Sequence, residues 1–249
     1  MRDKITRFIN EYLKIRDFAD SSFNGLQVEG KSEVKKILFA VSYSKTIGDY
    51  AAKNDFDTII VHHGILWGKE QPITGIFKKR IEPLLKNEIN LLGYHIPLDA
   101  DPRIGNNISL IKLFTAKNIT PFGDYKGKKI GFKAVFKKPV ELNEIMETVK
   151  KNISKNPLVL NFGKKKINSL AVVSGGASSF FEQAICEKID LYITGEPAEH
   201  VFELARESET NFIAAGHYGT EVFGIKNLQN LIRKKFKLKT EFLDTQNPI

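Results

Sequence analysis

The sequence predicts an α/β protein of two lobes, with mixed, largely parallel sheets covered by helices and one metal site assembled at strand ends. Three observations carry that expectation. Strand-sized apolar runs alternate with amphipathic helical segments through the first third of the chain. The pattern breaks at Asn118–Lys129, where Pro121, Gly123, Gly127 and charged residues cluster, and then resumes. Three of the four loci holding the five histidines directly follow an apolar run that reads as a strand. In α/β proteins, ligands gather at the carboxyl ends of parallel strands.

In chain order, Ile5, Phe8, Ile9, Tyr12 and Leu13 recur at helical spacing, so the opening segment reads as an amphipathic helix rather than a signal peptide. A loop over residues 20–27 leads to a buried strand at Lys35–Tyr43 and a short helix at Thr46–Lys53. A strand at Asp57–Val61, an irregular loop to Phe77, a helix near 78–88 and a strand at Asn90–Tyr94 follow. A helix near 105–115 closes this stretch. Beyond the break, Gly131–Lys138 alternates at period two and reads as a half-exposed strand; a helix follows at Glu141–Ile153. Strands near 157–162 and 168–173, a helix near 178–188 and a strand at Asp190–Thr194 come next. Helix 197–208, strand 211–215, helix 218–235 and a strand near 238–243 complete the reading. The expected lobes are residues 1–117 with 212–249, and residues 118–211.

At 249 residues and 42% hydrophobic content the chain can bury a large core. Its apolar stretches are strand-sized, so no transmembrane helix is expected. A lone Cys186 excludes an internal disulfide and fits a reducing, cytoplasmic setting. The formal net charge of +9 raises nucleic-acid binding as a function class, but the lysines fall in short runs at helix ends and turns, such as 78–80, 126–129, 164–166 and 233–235. Such runs are ordinarily solvated.

The chemistry concentrates in the histidine loci. His62-His63-Gly64 ends one strand; neighbouring strand side chains point to opposite faces, so both imidazoles serve one site only if the backbone turns, which Gly64 permits. His217 and Glu221 stand at i, i+4 on a helix that starts after a strand, so they share a face. His95 ends a third strand, and Pro97 is expected to fix an extended turn that aims Asp99 back toward the strand ends, with Asp101 as a rival. Against these stand ordinary roles: strand-end histidines, a carboxylate favoured by a helix dipole, a capping aspartate. Convergence decides for metal. Three imidazoles and two carboxylates exceed what one structural zinc needs, and no cysteine takes part. A dinuclear centre with metals roughly 3.5–4 Å apart, activating a water, fits better. The N/O set suits zinc, manganese, iron, nickel or cobalt. Ser174-Gly175-Gly176-Ala177 could cradle an anion or form a plain turn. Thr194-Gly195-Glu196 and His200 could face the cleft or cap a helix, and Trp67 could wall it.

The ordered motifs NGLQV (24–28), VHHGILW (61–67), YHIPLDA (94–100), IGNN (104–107), YITGE (192–196) and GHYGTEVFGIKNL (216–228) resemble the type 2 homologues of GTP cyclohydrolase I. These are also called dinuclear metal-centre proteins or NGG-one-interacting-factor-like proteins. The resemblance spans the chain and matches the short form, without the inserted domain of longer members. It implies a two-lobed α/β protein with two divalent metals in the cleft, assembling as a toroidal homohexamer from two trimers. It implies the ligands His62, His63, Asp99, His217 and Glu221, the same set reached from spacing, with His95 near the metals. Many relatives carry a histidine two residues after the ligand aspartate, where this chain has Asp101; the tyrosine and threonine of GHYGTE are Tyr218 and Thr220.

The leading expectation is a metal-dependent hydrolase acting on an unidentified small molecule, with nucleotides, phosphoesters and cyclic amides as candidates, in which His95 orients a ligand or shuttles a proton. The alternatives are a non-catalytic metal carrier or assembly factor that regulates partners, and a nucleic-acid-binding hexameric ring. No membrane partner is expected.

Overall fold

Each of the two sheets carries its own cluster of buried apolar side chains. The computed structural model describes residues 1–249. The elements run α1 (Arg2–Tyr12), β1 (Gly25–Val28), β2 (Lys36–Ser42), α2 (Lys45–Lys53), β3 (Thr58–His63), α3 (Gly75–Lys86), β4 (Asn90–Gly93), α4 (Ile96–Ala100) and α5 (Asn106–Lys112). They continue with β5 (Lys117–Tyr125), β6 (Lys128–Glu141), α6 (Leu142–Asn152), β7 (Leu158–Leu160), β8 (Lys166–Val172), α7 (Phe181–Cys186), β9 (Leu191–Thr194), α8 (Val201–Glu207), β10 (Asn211–Ala214), α9 (His217–Phe236) and β11 (Lys239–Phe242). The protein is α/β, with two mixed sheets covered by helices, and no helix is long and apolar enough to cross a membrane.

The first compact unit comprises Met1–Leu98 and Ile225–Gln246. Its sheet has the order β1-β4-β3-β2-β11, parallel throughout except for β1. The central strands are near-continuous apolar runs, as strands covered on both faces must be: Ile37 to Val41 and Ile59 to Val61 are buried without interruption. Ile47 and Ala51 of α2 and Ile81 and Leu84 of α3 close over Leu38, Ala40, Ile59 and Val61. The helical spacing read in α1 buries Ile5 and Ile9, and Phe8 meets Phe236 edge-on at 5.6 Å. β1 lies where a loop was expected. It is a four-residue edge strand with an irregular register against β4, too short to show alternation.

The second unit comprises Asp99–Gly224 and Asn247–Ile249, around a sheet of order β5-β6-β8-β9-β10-β7. Only β8, β9 and β10 run parallel to one another; β5, β6 and β7 pair antiparallel. The break read at 118–129 is a hairpin inside this unit. Lys126 and Gly127 have φ of 50° and 84°, the two positive values that a two-residue hairpin connection demands, and Gly127 N donates to Asp124 Oδ1. The turn residues were thus legible, but as punctuation between lobes rather than between paired strands.

The unit limits also differ from the expected 117/118 and 211/212. Ile108, Leu110 and Ile111 of α5 join Phe132, Leu170, Val172, Leu191 and Ile213 in one core, so residues 99–117 belong with the second sheet. β10 belongs there too, because it pairs residue by residue with β9.

Candidate metal centre

In the first unit, β3 ends on His62-His63. His62 is fully buried, and its Nδ1 lies 2.8 Å from the Tyr94 carbonyl oxygen. A carbonyl only accepts, so Nδ1 carries the proton and Nε2 the lone pair. His63 Nδ1 lies 2.9 Å from Ser42 Oγ, a residue of the neighbouring strand. His95, just past β4, places Nδ1 2.9 Å from Asp20 Oδ1. The ligand nitrogens of His62, His63 and His95 all lie within 4.8 Å of one another. Gly64 was expected to supply backbone freedom. Its backbone is not left-handed, and it serves instead as clearance, since a Cβ there would press on the Gln27 carboxamide.

Asp20, in a loop to which sequence pattern assigns no role, is the carboxylate partner of His95. Besides His95 it accepts from the backbone N–H of Ser22 (2.9 Å) and Ile96 (3.0 Å) and from Asn24 Nδ2 (2.9 Å). Burial alone pushes its carboxyl up, but the bonds from His95, Asn24 and Ser22 override this and hold it down at about 2. A carboxylate depressed in this way stabilises the fold above its ordinary value of 3.8 and loses that contribution as pH falls toward 2. Asp20→Asn is therefore expected to cost about 1–2 kcal/mol at neutral pH after allowance for solvent screening. The gap to wild type should close as pH falls below about 4; urea unfolding at a series of pH values measures it.

In the second unit, Asp99 sits on α4 rather than in an extended turn. Pro97 occupies the first turn of that helix, where its missing N–H leaves no bond unmade. Asp99 is buried, and its Oδ1 accepts from Asn106 Nδ2 (2.8 Å) and Ser174 Oγ (2.9 Å). The carboxylates of Asp99 and Glu221 offer oxygens within 4.8 Å of each other. Glu221 is 2% exposed, and its Oε1 lies 3.1 Å from His217 Nε2, as the i, i+4 spacing on α9 requires. Gly216, with φ of 92°, makes the sharp entry from β10 into that helix.

His217 Nδ1 lies 2.6 Å from Glu196 Oε1. Burial by itself lowers the pKa of this imidazole; hydrogen bonds and charge from Glu221 and Glu196 override it and hold His217 up at about 9. Glu196 thus orients His217. In the Ser174-Gly175-Gly176-Ala177 turn, Ser174 Oγ donates to Asp99, and Gly175, at φ of 68°, leaves the space that Glu221 and His217 fill.

The rival Asp101 takes a structural role. It accepts from the backbone N–H of Arg103 and Ile104 and pairs with the Arg103 guanidinium at 2.6 Å. His200 is exposed at the start of α8. Each of the five expected ligands therefore lies in a group of residues that could hold a metal, as does His95. Asp20, Asn106, Ser174 and Glu196 are the partners that spacing alone did not assign.

A family model described as Duf34/NIF3 (NGG1p interacting factor 3) matches residues 1–248. The chain is 43% identical to a Pyrococcus abyssi protein named GTP cyclohydrolase 1 type 2 homolog, over 98% of each. It is 38% identical to a Haemophilus influenzae protein of the same name, again over 98% of each. Among solved structures, a Thermus thermophilus protein superposes with a TM-score of 0.92 at 35% identity, covering 100% of this chain and 99% of that one. Reduced HcgD from Methanocaldococcus jannaschii superposes with a TM-score of 0.87 at 30% identity, covering 98% and 97%.

Proposed function

The chain belongs to the Duf34/NIF3 (NGG1p interacting factor 3) family, and on that premise we propose that it is a metal-dependent hydrolase in which His62, His63, Asp99, His217 and Glu221 hold two divalent cations. The observation that carries the reading is the state of the imidazoles. In His62, His63, His95 and His217 alike, Nδ1 is engaged by a dedicated partner: a carbonyl, a hydroxyl and two carboxylates. Partners of this kind fix the tautomer and aim of metal-binding histidines. The carboxylates support the same reading, since Asp99 and Glu221 are buried with oxygens within 4.8 Å of each other, a donor set that suits a cation.

When bound, a pair of such cations supplies a water acidic enough to attack at neutral pH. The residues do the rest. Asn106 and Ser174 fix Asp99, and Glu196 fixes His217. His95, locked through Nδ1 on Asp20, presents Nε2 to accept a proton and return it to the leaving group. The substrate class in this reading is a nucleotide or another phosphoester, and the assembly is a toroidal homohexamer, which sedimentation would test.

Elemental analysis followed by a screen of nucleotides, phosphoesters and cyclic amides tests the function. About two metal equivalents per chain with metal-dependent turnover are expected. Metal without turnover on any of them would favour a carrier or regulatory protein. A further outcome follows from His217, whose pKa Glu221 and Glu196 hold up at about 9. A cation must displace the imidazolium proton, so affinity should weaken up to about tenfold per unit as pH falls below 9. Uptake followed in a pH-stat checks this, and a curve flat from pH 6 to 9 would remove His217 from the ligand set.

A further inference from the structure

Trp67 is the only tryptophan of the chain and is 38% exposed, although large aromatic side chains are normally well covered. It is also held still. Its Nε1 donates to the Gly64 carbonyl at 3.1 Å, within its own turn. The carboxamide of Gln27 accepts from Ile65 N at 2.7 Å and Leu66 N at 3.3 Å, and its Nε2 donates to the Phe23 carbonyl. Phe23 N in turn donates to the Leu66 carbonyl at 3.0 Å, so the segments around residues 23 and 66 are tied together. The space for Gln27 exists because residues 64 and 93 are glycines. The indole so fixed stands beside the histidines, with ring centroids 5.1 Å from His95 and 5.9 Å from His63.

We propose that Trp67 is the stacking platform of the substrate site, its partly exposed indole receiving the planar nitrogen heterocycle of a nucleotide-like substrate. The proposal rests on the hydrolase reading above and narrows its substrate to molecules that carry such a ring. Three arguments favour a ring over an aliphatic or purely ionic group. A flat π-face rewards another flat π-face with stacking energy that grows with overlap and tolerates different bases. The hydrogen bond at Nε1 fixes the plane before any ligand arrives, so little is lost in ordering it on binding. Proximity to His95 and His63 puts a bond attached to the stacked ring within reach of the groups proposed to do chemistry.

The test uses the zinc-loaded full chain, with guanosine, adenosine and cytidine monophosphates as probes and ribose 5-phosphate as the ringless control. Emission excited at the red edge of indole absorption reads position 67 alone. Saturable changes with the nucleotides are expected, and the ringless control should bind about tenfold or more weakly. By equilibrium dialysis, Trp67→Leu should lose about tenfold or more in nucleotide affinity while Trp67→Phe keeps most of it. Metal content should match wild type in both variants, since the indole is no ligand. Equal binding of nucleotide and ribose 5-phosphate, or undiminished binding by Trp67→Leu, would overturn the proposal. So would an indole that acrylamide cannot reach in the native protein, because another surface would then cover it. A wild-type chain that takes up no zinc would instead sink the metal reading, and nucleotide titration of that same chain would still judge the stacking.

Discussion

His217→Ala is expected to lower bound metal from about two equivalents per chain to one or fewer, as read by elemental analysis of purified protein. Two losses combine in this variant. The donor nitrogen disappears, and Glu221, which is 2% exposed, loses the cation 3.1 Å away that balances it in the metal-free protein. Breaking a buried ion pair from one side costs about 3–5 kcal/mol, because the remaining charge stays desolvated. The variant should therefore also unfold earlier than wild type after both are stripped with chelator. Glu196→Gln separates the two losses. It leaves Nε2 in place but weakens the hydrogen bond at Nδ1, so affinity should fall about 10–100-fold while capacity is kept at saturating metal. A His217→Ala protein with wild-type metal content would show that this histidine is structural.

Gly195→Ala is expected to be comparably severe although residue 195 is no ligand. A Cβ there would lie 2.7 Å from the Gly175 carbonyl oxygen and 2.8 Å from His217 Cα. Both are backbone atoms that cannot swing away. Gly175 also receives the N–H groups of Gly195 and Glu196 at its carbonyl, so the three segments bearing Ser174, Glu196 and His217 meet at this point. One methyl group must push them apart. Overpacking of this kind costs about 1–3 kcal/mol, which in a chain of this size lowers the melting temperature by about 2–4 °C per kcal/mol. Metal affinity should drop with it, since Glu196 and His217 can no longer keep their 2.6 Å contact. Calorimetry with and without added zinc distinguishes a stability loss from a binding loss. A fully loaded variant with unchanged melting would show that the turn relaxes without disturbing the ligands.

The parallel strands and the histidines at their ends were legible because both leave a local signature. Buried strands read as unbroken apolar runs, and His62-His63, His95 and His217 stand where those runs stop. The i, i+4 relation of His217 and Glu221 likewise needs only a helix. Asp20, Asn106, Ser174 and Glu196 were not assigned, because their partners lie 75, 7, 75 and 21 residues away and nothing in their own neighbourhood encodes the pairing. The hairpin of the second sheet was read as a break between lobes for a related reason. Gly127 and its neighbours mark a turn in either a linker or a hairpin, and only the register of β5 on β6 decides between them. Pro97 shows the limit of residue preferences. The same ring that favours an extended turn also suits the first turn of a helix, and α4 takes the second option.

The interrupted first unit sets an order of events during synthesis. Its sheet is completed only when β11 at Lys239–Phe242 pairs with β2 at Lys36–Ser42. The second unit is almost entirely one continuous stretch that leaves the ribosome before β11 does. Until then β2 presents an open edge of unpaired backbone groups, the kind of surface that recruits strands from other chains. Nascent chains halted before Lys239 are thus the aggregation-prone species, and a chaperone acting on this protein has its window there.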